Sequence, residues 1–340
     1  MNLMRSPKEP PTSISRSISI CPSRTRLRIL SRSKLRRMEF PPVRAKPGYM
    51  SNPTAMSFPR RAWRKTSLAI CSKTIGKASI VDFLPPQAPA AGTPPEQFMN
   101  WHARYLQQAA WTHDLSAYLF DKAGLKKAKH VLEVGCGTGA ILCGLETPAP
   151  PHGLDLNPIA LTQASINAPA ASLTCGNGLS LPYPSNLFDI VFCHYYLLWV
   201  KDPLQAVLEM KRVTKRGGHI LALAEPDYYA RVDKPDALRP LGEWQRDALK
   251  RQGADPGFGA KLAETFFQAG IQIKETGTIQ GGVNEPPARE REMEWAVINA
   301  DLGEAVSGEE IQKMKALDDE AWAKGGRVLY VPTYFAWGQK

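Results

Sequence analysis

Val131-Leu132-Glu133-Val134-Gly135-Cys136-Gly137-Thr138-Gly139 is an apolar run that ends in a glycine-spaced turn, and Ala140, Ile141 and Leu142 then favour a helix. A short aliphatic run closed by turn residues reads as a buried strand of a parallel sheet, covered on both faces. Glycine lacks a Cβ and takes positive φ, so the turn lets backbone approach a ligand closely. Glu133 is an acid inside this apolar strand, two residues before the first glycine and near the strand's carboxyl end. Open α/β sheets bind their ligands at that end.

Outward from this strand the chain alternates between strand and helix patterns. Strands are expected over 130–135, 151–156, 172–176, 188–195 and 218–225. Asn157-Pro158 and Asp202-Pro203 each pair a capping side chain with a proline suited to a first helical turn, so each predicts a helix start. Lys215-Arg216-Gly217-Gly218 reads as the turn before the fifth strand. Phe98, Trp101, Tyr105 and Ala109, then Leu115, Tyr118 and Leu119, recur at helical spacing ahead of the first strand. Beyond 225 helices are expected over 235–251, 259–270, 290–300 and 308–324, a strand over 271–280, and a last strand over 327–337 despite Pro332. Repeated βα units on short connections predict an α/β fold with a mostly parallel, doubly wound sheet.

The formal net charge of +11 over 340 residues is unevenly spread. Residues 1–80 hold 18 Lys and Arg against Glu9 and Glu39, whereas the remainder holds 25 against 30 acids. The basic, Ser/Arg/Pro-rich leader, 1–95, has low hydrophobicity and is expected to be disordered. It fits an over-extended start with translation beginning at Met38, Met50, Met56 or later, an organellar transit peptide, or a functional basic tail. The globular part, 96–340, is slightly acidic, which argues against nucleic acid as a partner, because such binding leans on Lys and Arg. No stretch approaches the roughly 18 consecutive apolar residues of a membrane span. The expected location is the cytoplasm, with organellar targeting by the leader as the alternative. The sequence sets no oligomeric state. Six scattered cysteines without a Cys-x-x-Cys pair read as reduced thiols, and predict no zinc site.

Four later segments decide between readings of the glycine turn. With them, 131–139 resembles the first motif of class I S-adenosylmethionine-dependent methyltransferases, hydrophobic-(Asp/Glu)-x-Gly-x-Gly-x-Gly. Gly153-Leu154-Asp155-Leu156-Asn157-Pro158 is similar to the end of the family's second strand. The resemblance implies that Asp155 accepts from the cofactor ribose diol and that Leu156 packs on adenine. Gly176-Asn177-Gly178-Leu179-Ser180-Leu181-Pro182-Tyr183 resembles the Gly-Asp-Ala-x-x-Leu-Pro-Phe loop after the third strand. Asn177 stands where the family has an acid for the adenine amino group, so this contact loses its charge, and Gly178 offers its N–H. Leu187-Phe188-Asp189-Ile190-Val191-Phe192-Cys193-His194-Tyr195-Tyr196 matches the fourth strand and the residues facing the methionine portion. Lys215-Arg216-Gly217-Gly218-His219 matches the Lys-Pro-Gly-Gly turn, with Arg216 for the usual proline.

What the resemblance implies is specific. The fold is a Rossmann-like sheet of about seven strands, with an antiparallel last strand and a helical insertion over about 284–326 before it. S-adenosyl-L-methionine is held by Glu133, Gly135, Cys136, Gly137, Asp155, Leu156, Asn177, Gly178 and His194. The reaction is direct displacement onto O, N or C of a small organic acceptor, with no metal and no obligatory catalytic base. Tyr105 and Trp111 on the leading helices, Tyr195 after the fourth strand, and Glu225 and Tyr228 after the fifth are the candidate acceptor-binding residues. Acids beside aromatics suit an amine through charge and cation–π contact, or a hydroxyl to be activated. Two other readings stay open. Gly135-Cys136-Gly137-Thr138-Gly139-Ala140 also satisfies the dinucleotide pattern of NAD(P)-dependent oxidoreductases, and a non-catalytic cofactor-binding protein would carry the same cofactor motifs.

Overall fold

The computed structural model describes residues 100–279, 285–303 and 305–340. The expectations for the leader lie outside the described residues. Helices α1 (Trp101–Trp111) and α2 (His113–Lys122) come first. Strands β1 (Val131–Val134), β2 (His152–Asp155), β3 (Ser172–Cys175), β4 (Phe188–Cys193) and β5 (Thr214–Pro226) follow, with α3 (Pro158–Asn167) between β2 and β3 and α4 (Pro203–Val213) between β4 and β5. Then come β6 (Val232–Lys234), α5 (Arg239–Arg251), α6 (Leu262–Gln268), β7 (Gln272–Ile279), α7 (Ala288–Leu302), α8 (Gly308–Ala323), β8 (Val328–Tyr330) and β9 (Thr333–Gln339).

Seven strands form one sheet in the order β3-β2-β1-β4-β5-β9-β7. The pairs from β3 to β5 are parallel, and β9 runs antiparallel to both neighbours, β5 and β7. This is the expected Rossmann-like, doubly wound sheet with an antiparallel last strand. Alternate residues along each strand face opposite layers. Val131, Ile190, Phe192, Leu221 and Leu223 pack under Leu119 and Phe120 of α2. Leu132, Val134, Val191, Cys193 and Ile220 pack against Val207 and Met210 of α4 and Phe266 of α6. Both expected cap-then-proline starts are made. Asn157 Oδ1 accepts from Ile159 N at 2.9 Å, and Asp202 Oδ1 accepts from Gln205 N at 2.9 Å.

Three expectations are corrected. The helix expected after the glycine turn is a single 3-10 turn, Leu142–Gly144, because Pro148, Pro150 and Pro151 follow at once and proline cannot continue a helix interior. The last strand breaks at Pro332, which has no N–H for a ladder. Its first part, β8, pairs instead with the unanticipated β6 in a separate two-stranded ribbon. Reduced thiols are found at Cys136, Cys143 and Cys193, whereas Cys175 is disulfide-bonded; Cys21 and Cys71 lie outside the described residues. Among the described residues no helix is long and apolar enough to cross a membrane.

Candidate functional site

The carboxyl ends of β1, β2 and β4 meet at the glycine turn. Gly135, Gly137 and Gly139 have φ of +76°, +50° and +78°, a region costly to residues with a Cβ. The amides of Gly135 and Cys136 both donate to Leu154 O, at 2.8 and 3.0 Å, which ties the turn to β2. A Cβ on Gly139 would lie 3.3 Å from the Ala164 methyl, so α3 packs close against the turn. Asn167 at the end of α3 donates to Thr138 O at 2.9 Å. His102 Nδ1 from α1 lies 2.8 Å from Thr138 Oγ1 and 2.9 Å from Asn167 Nδ2, so three elements grip the turn. A Cβ on Gly135 would sit 2.3 Å from the Tyr196 ring. Gly135→Ala is therefore expected to destabilise the fold by more than the about 1–2 kcal/mol of the left-handed conformation alone, a loss that urea denaturation would detect.

Two carboxylates border this turn. Asp155 at the tip of β2 accepts from Gly137 N at 2.7 Å through Oδ2 and from Asn157 N at 2.8 Å through Oδ1. Burial raises its pKa, and the amides of Asn157, Gly137 and Leu156 oppose that rise. A carboxylate has about four lone-pair sites, so acceptor capacity remains for a ligand diol. Glu133 is 2 % exposed, and its Oε2 is buried with no hydrogen-bond partner. Burial, then the nearby Asp155 charge, pushes its pKa well up. An orphaned buried carboxylate oxygen calls for a donor that the protein itself does not supply.

The bare glycine faces are not left open. The Tyr196 ring covers Gly135, and its hydroxyl lies where a Cβ on Gly178 would come within 2.0 Å. Tyr105 lies beside Gly137, 3.4 Å from a Cβ built there. Burial and the Asp155 charge push the Tyr105 hydroxyl up to about 12. Asn177 Oδ1 accepts from Leu179 N at 2.9 Å in a local turn, Leu156 is half-buried and Cys136 is buried. Glu133, Gly135, Cys136, Gly137, Asp155 and Gly178 thus gather around one turn. Tyr105, expected at the acceptor, lies at this turn instead. Tyr196 had no role in the sequence reading. Its signal was indirect: glycines at 135 and 178 leave room for a large ring after β4.

Tyr195 takes φ of +49°, which is uncommon for a residue with a side chain. Its amide donates to Ala224 O at 2.9 Å, which holds the chain there. The next turn, Leu197–Trp199, is capped by Glu225, which is fully buried and accepts from the amides of Tyr196, Leu197 and Leu198 at 3.1, 2.9 and 3.2 Å. Glu225, expected at the acceptor, is committed to backbone and positions the two tyrosines. His194 lies 2.9 Å from Thr112 Oγ1 through Nε2, and burial lowers its pKa to about 3, so it is neutral at physiological pH.

Burial raises the Glu225 pKa to about 7 from 4.5. Between those values the unfolded chain gives up this proton while the folded chain keeps it. Stability then falls as pH rises through that window. The thermal midpoint is expected to drop from pH 4.5 towards pH 7 through this residue, and Glu225→Gln to flatten the drop in calorimetric scans.

Beside Tyr195 lies a cavity of about 330 Å³. Trp111, Tyr195 and Tyr228, three of the expected acceptor residues, line it together with Arg104, Glu290, Glu294, Trp295, Trp322 and Tyr330. Glu225 and Tyr105 do not. Burial pushes the Tyr228 hydroxyl up to about 12. Arg104, buried on α1, pairs with Glu294 at 2.6 Å and stacks 4.8 Å over Trp111. The sequence reading did not anticipate that α7 and α8 supply one wall, because no local motif marks which helices meet across a cavity.

A family model described as a methyltransferase domain matches residues 132–222. The chain is 33% identical over 213 residues to the demethylmenaquinone methyltransferase of Shouchella clausii, a match that covers 54% of this chain and 86% of that protein. It is 37% identical over 146 residues to a protein of Aspergillus luteorubrus named a probable methyltransferase, covering 37% of this chain and 50% of that protein. It is 35% identical over 112 residues to an uncharacterized methyltransferase of Schizosaccharomyces pombe, covering 28% of this chain and 40% of that protein. The chain thus spans half or less of the length of these two fungal relatives.

Proposed function

Because the chain belongs to the class I S-adenosylmethionine-dependent methyltransferase family, we propose that it moves a methyl group to O, N or C of a small organic acceptor bound in the cavity beside Tyr195. The observation that carries this reading is the pair of carboxylates at the glycine turn. Asp155 is fixed by Gly137 and Asn157 with acceptor capacity to spare, and Glu133 has a buried oxygen without a partner. That pair of acceptors suits a molecule with a ribose diol at one end and a cationic amino-acid portion at the other.

When bound, S-adenosylmethionine supplies an electrophilic methyl on a sulfonium. Asp155 would hold the diol and Glu133 the polar end. The Tyr196 ring, packed on Gly135 and Gly178, would border the cofactor. Tyr195 lines the acceptor cavity while its neighbour Tyr196 packs on Gly135 and Gly178, so the pair would stand between the cofactor and the acceptor. Aligning donor and acceptor across such a wall is the chain's main contribution, and orientation alone is worth about 7–11 kcal/mol in favourable cases. His194, neutral and bonded to Thr112, would help to hold α1 against β4.

The Shouchella clausii relative is named for a demethylated menaquinone, which favours a small organic acceptor here over a macromolecule. A screen of pooled metabolites with a radiolabelled methyl donor tests the reading. Label is expected in at least one acceptor. Intact cofactor binding with no transfer to any acceptor would favour a non-catalytic binding protein instead.

A further inference from the structure

We propose that the acceptor is an aromatic compound carrying an alkylammonium group, which Glu290 holds, an inference that rests on the methyltransferase reading of the same site. Six rings line the cavity of about 330 Å³: Trp111, Tyr195, Tyr228, Trp295, Trp322 and Tyr330. That volume is at the small end of ligand sites. Rings on several sides suit a flat guest through stacking and edge contacts, and a cation over a ring face. Glu290 lines the same cavity. Its carboxylate lies 3.4 Å from the Trp111 indole nitrogen and meets no cation among the described residues.

The charges around the wall leave that carboxylate in excess. Arg104 meets Glu294 at 2.6 Å, and Arg231 meets Asp233 at 2.7 Å. Arg327 meets Asp233 at 2.9 Å and Asp318 at 2.5 Å. Arg291 meets Glu285 at 3.1 Å and Asp319 at 3.4 Å, and Lys315 meets Asp319 at 2.7 Å. These five cations face five acids, and Glu290 is the sixth acid. Arg291 Nε is buried without a partner, but two acids already offset that guanidinium, so it exerts little pull on a further anion. Glu290 stands in the first turn of α7, where the helix dipole favours its ionised form. A carboxylate or phosphate on the ligand would enlarge the negative excess, and like charges repel. A neutral ligand would leave the excess in place. An ammonium cancels it, with aromatic faces alongside. Held as a cation, the nitrogen has no lone pair to offer, so Glu290 binds the ligand and takes no part in the transfer step.

The test uses the full chain saturated with adenosylhomocysteine, titrated calorimetrically at neutral pH with tryptamine, the neutral 3-ethylindole, the anionic indole-3-propionate and the zwitterionic tryptophan. Tryptamine is expected to bind at least about tenfold tighter than 3-ethylindole or indole-3-propionate, as a hydrogen bond between charged groups allows, and tighter than tryptophan. Glu290→Gln, which keeps the shape and an acceptor for Trp111, is expected to remove the preference for tryptamine while leaving 3-ethylindole binding unchanged. Equal or tighter binding of the neutral, anionic or zwitterionic analogue overturns the proposal, as does a preference for tryptamine that survives in Glu290→Gln. Adenosylhomocysteine binding with none for tryptamine sinks the acceptor class and leaves the methyltransferase reading standing. Glu290-dependent binding of tryptamine to a chain that rejects adenosylhomocysteine supports the cavity's chemistry and sinks the methyltransferase reading.

Discussion

Asp155→Ala is expected to weaken adenosylhomocysteine binding at least about tenfold, since hydrogen bonds to a charged group contribute about 1.5–3 kcal/mol each and a diol makes two. The loss has a second source. The Asp155 carboxylate also holds the amides of Gly137 and Asn157 at 2.7 and 2.8 Å, so alanine frees the glycine turn as well as removing the ribose partner. Asp155→Asn separates the two. Its amide oxygen can still accept one backbone bond, so the turn is better kept while the charge is lost, and an intermediate affinity is expected. Calorimetric titration checks the series, with a thermal scan of each variant to confirm folding. An affinity unchanged in Asp155→Ala would place the ribose elsewhere.

The largest effect on stability is expected at Asp233. Its carboxylate is buried between two buried guanidinium groups. It accepts from Arg231 Nε at 2.7 Å and from Arg327 Nη2 at 2.9 Å. Arg327 also reaches Asp318 at 2.5 Å, and Asp318 accepts from the Trp295 indole at 3.1 Å. One ionic network therefore joins β6 to α7 and α8 and forms a wall of the cavity. Asp233→Ala leaves two buried cations facing each other, and removing one partner of a buried pair costs about 3–5 kcal/mol. Equilibrium urea denaturation of the variant is expected to show a loss of that size. A loss below about 1 kcal/mol would mean that the network is solvated like a surface pair.

Much of the sheet was legible from local pattern. β1, β2, β3 and β4 were bounded to within two residues at each end because aliphatic runs alternate there with capping and turn residues, and both proline-started helices followed from Asn157 and Asp202. The break at Pro332 was harder. Proline's missing N–H was visible, but the partner that captures β8 lies about a hundred residues away in β6, and no local pattern reveals such a pairing. The site divides in the same way. Glu133, Asp155 and the glycines sit on adjacent strand ends, so order along the chain translates directly into proximity. Glu225 misled because a fully buried acid near the end of a strand looks the same in sequence as one facing a ligand. Only the three amides it accepts from distinguish them. The cavity wall drawn from α7 and α8 depends on tertiary packing, as does the Tyr196 ring that fills the space spared by Gly135 and Gly178.

Isothermal titration of the unmodified protein with adenosylhomocysteine and, separately, with NAD tests the central claim most directly. The pair of carboxylates at the glycine turn predicts saturable one-to-one binding of adenosylhomocysteine and no heat from NAD. Binding of NAD with none of adenosylhomocysteine would contradict it.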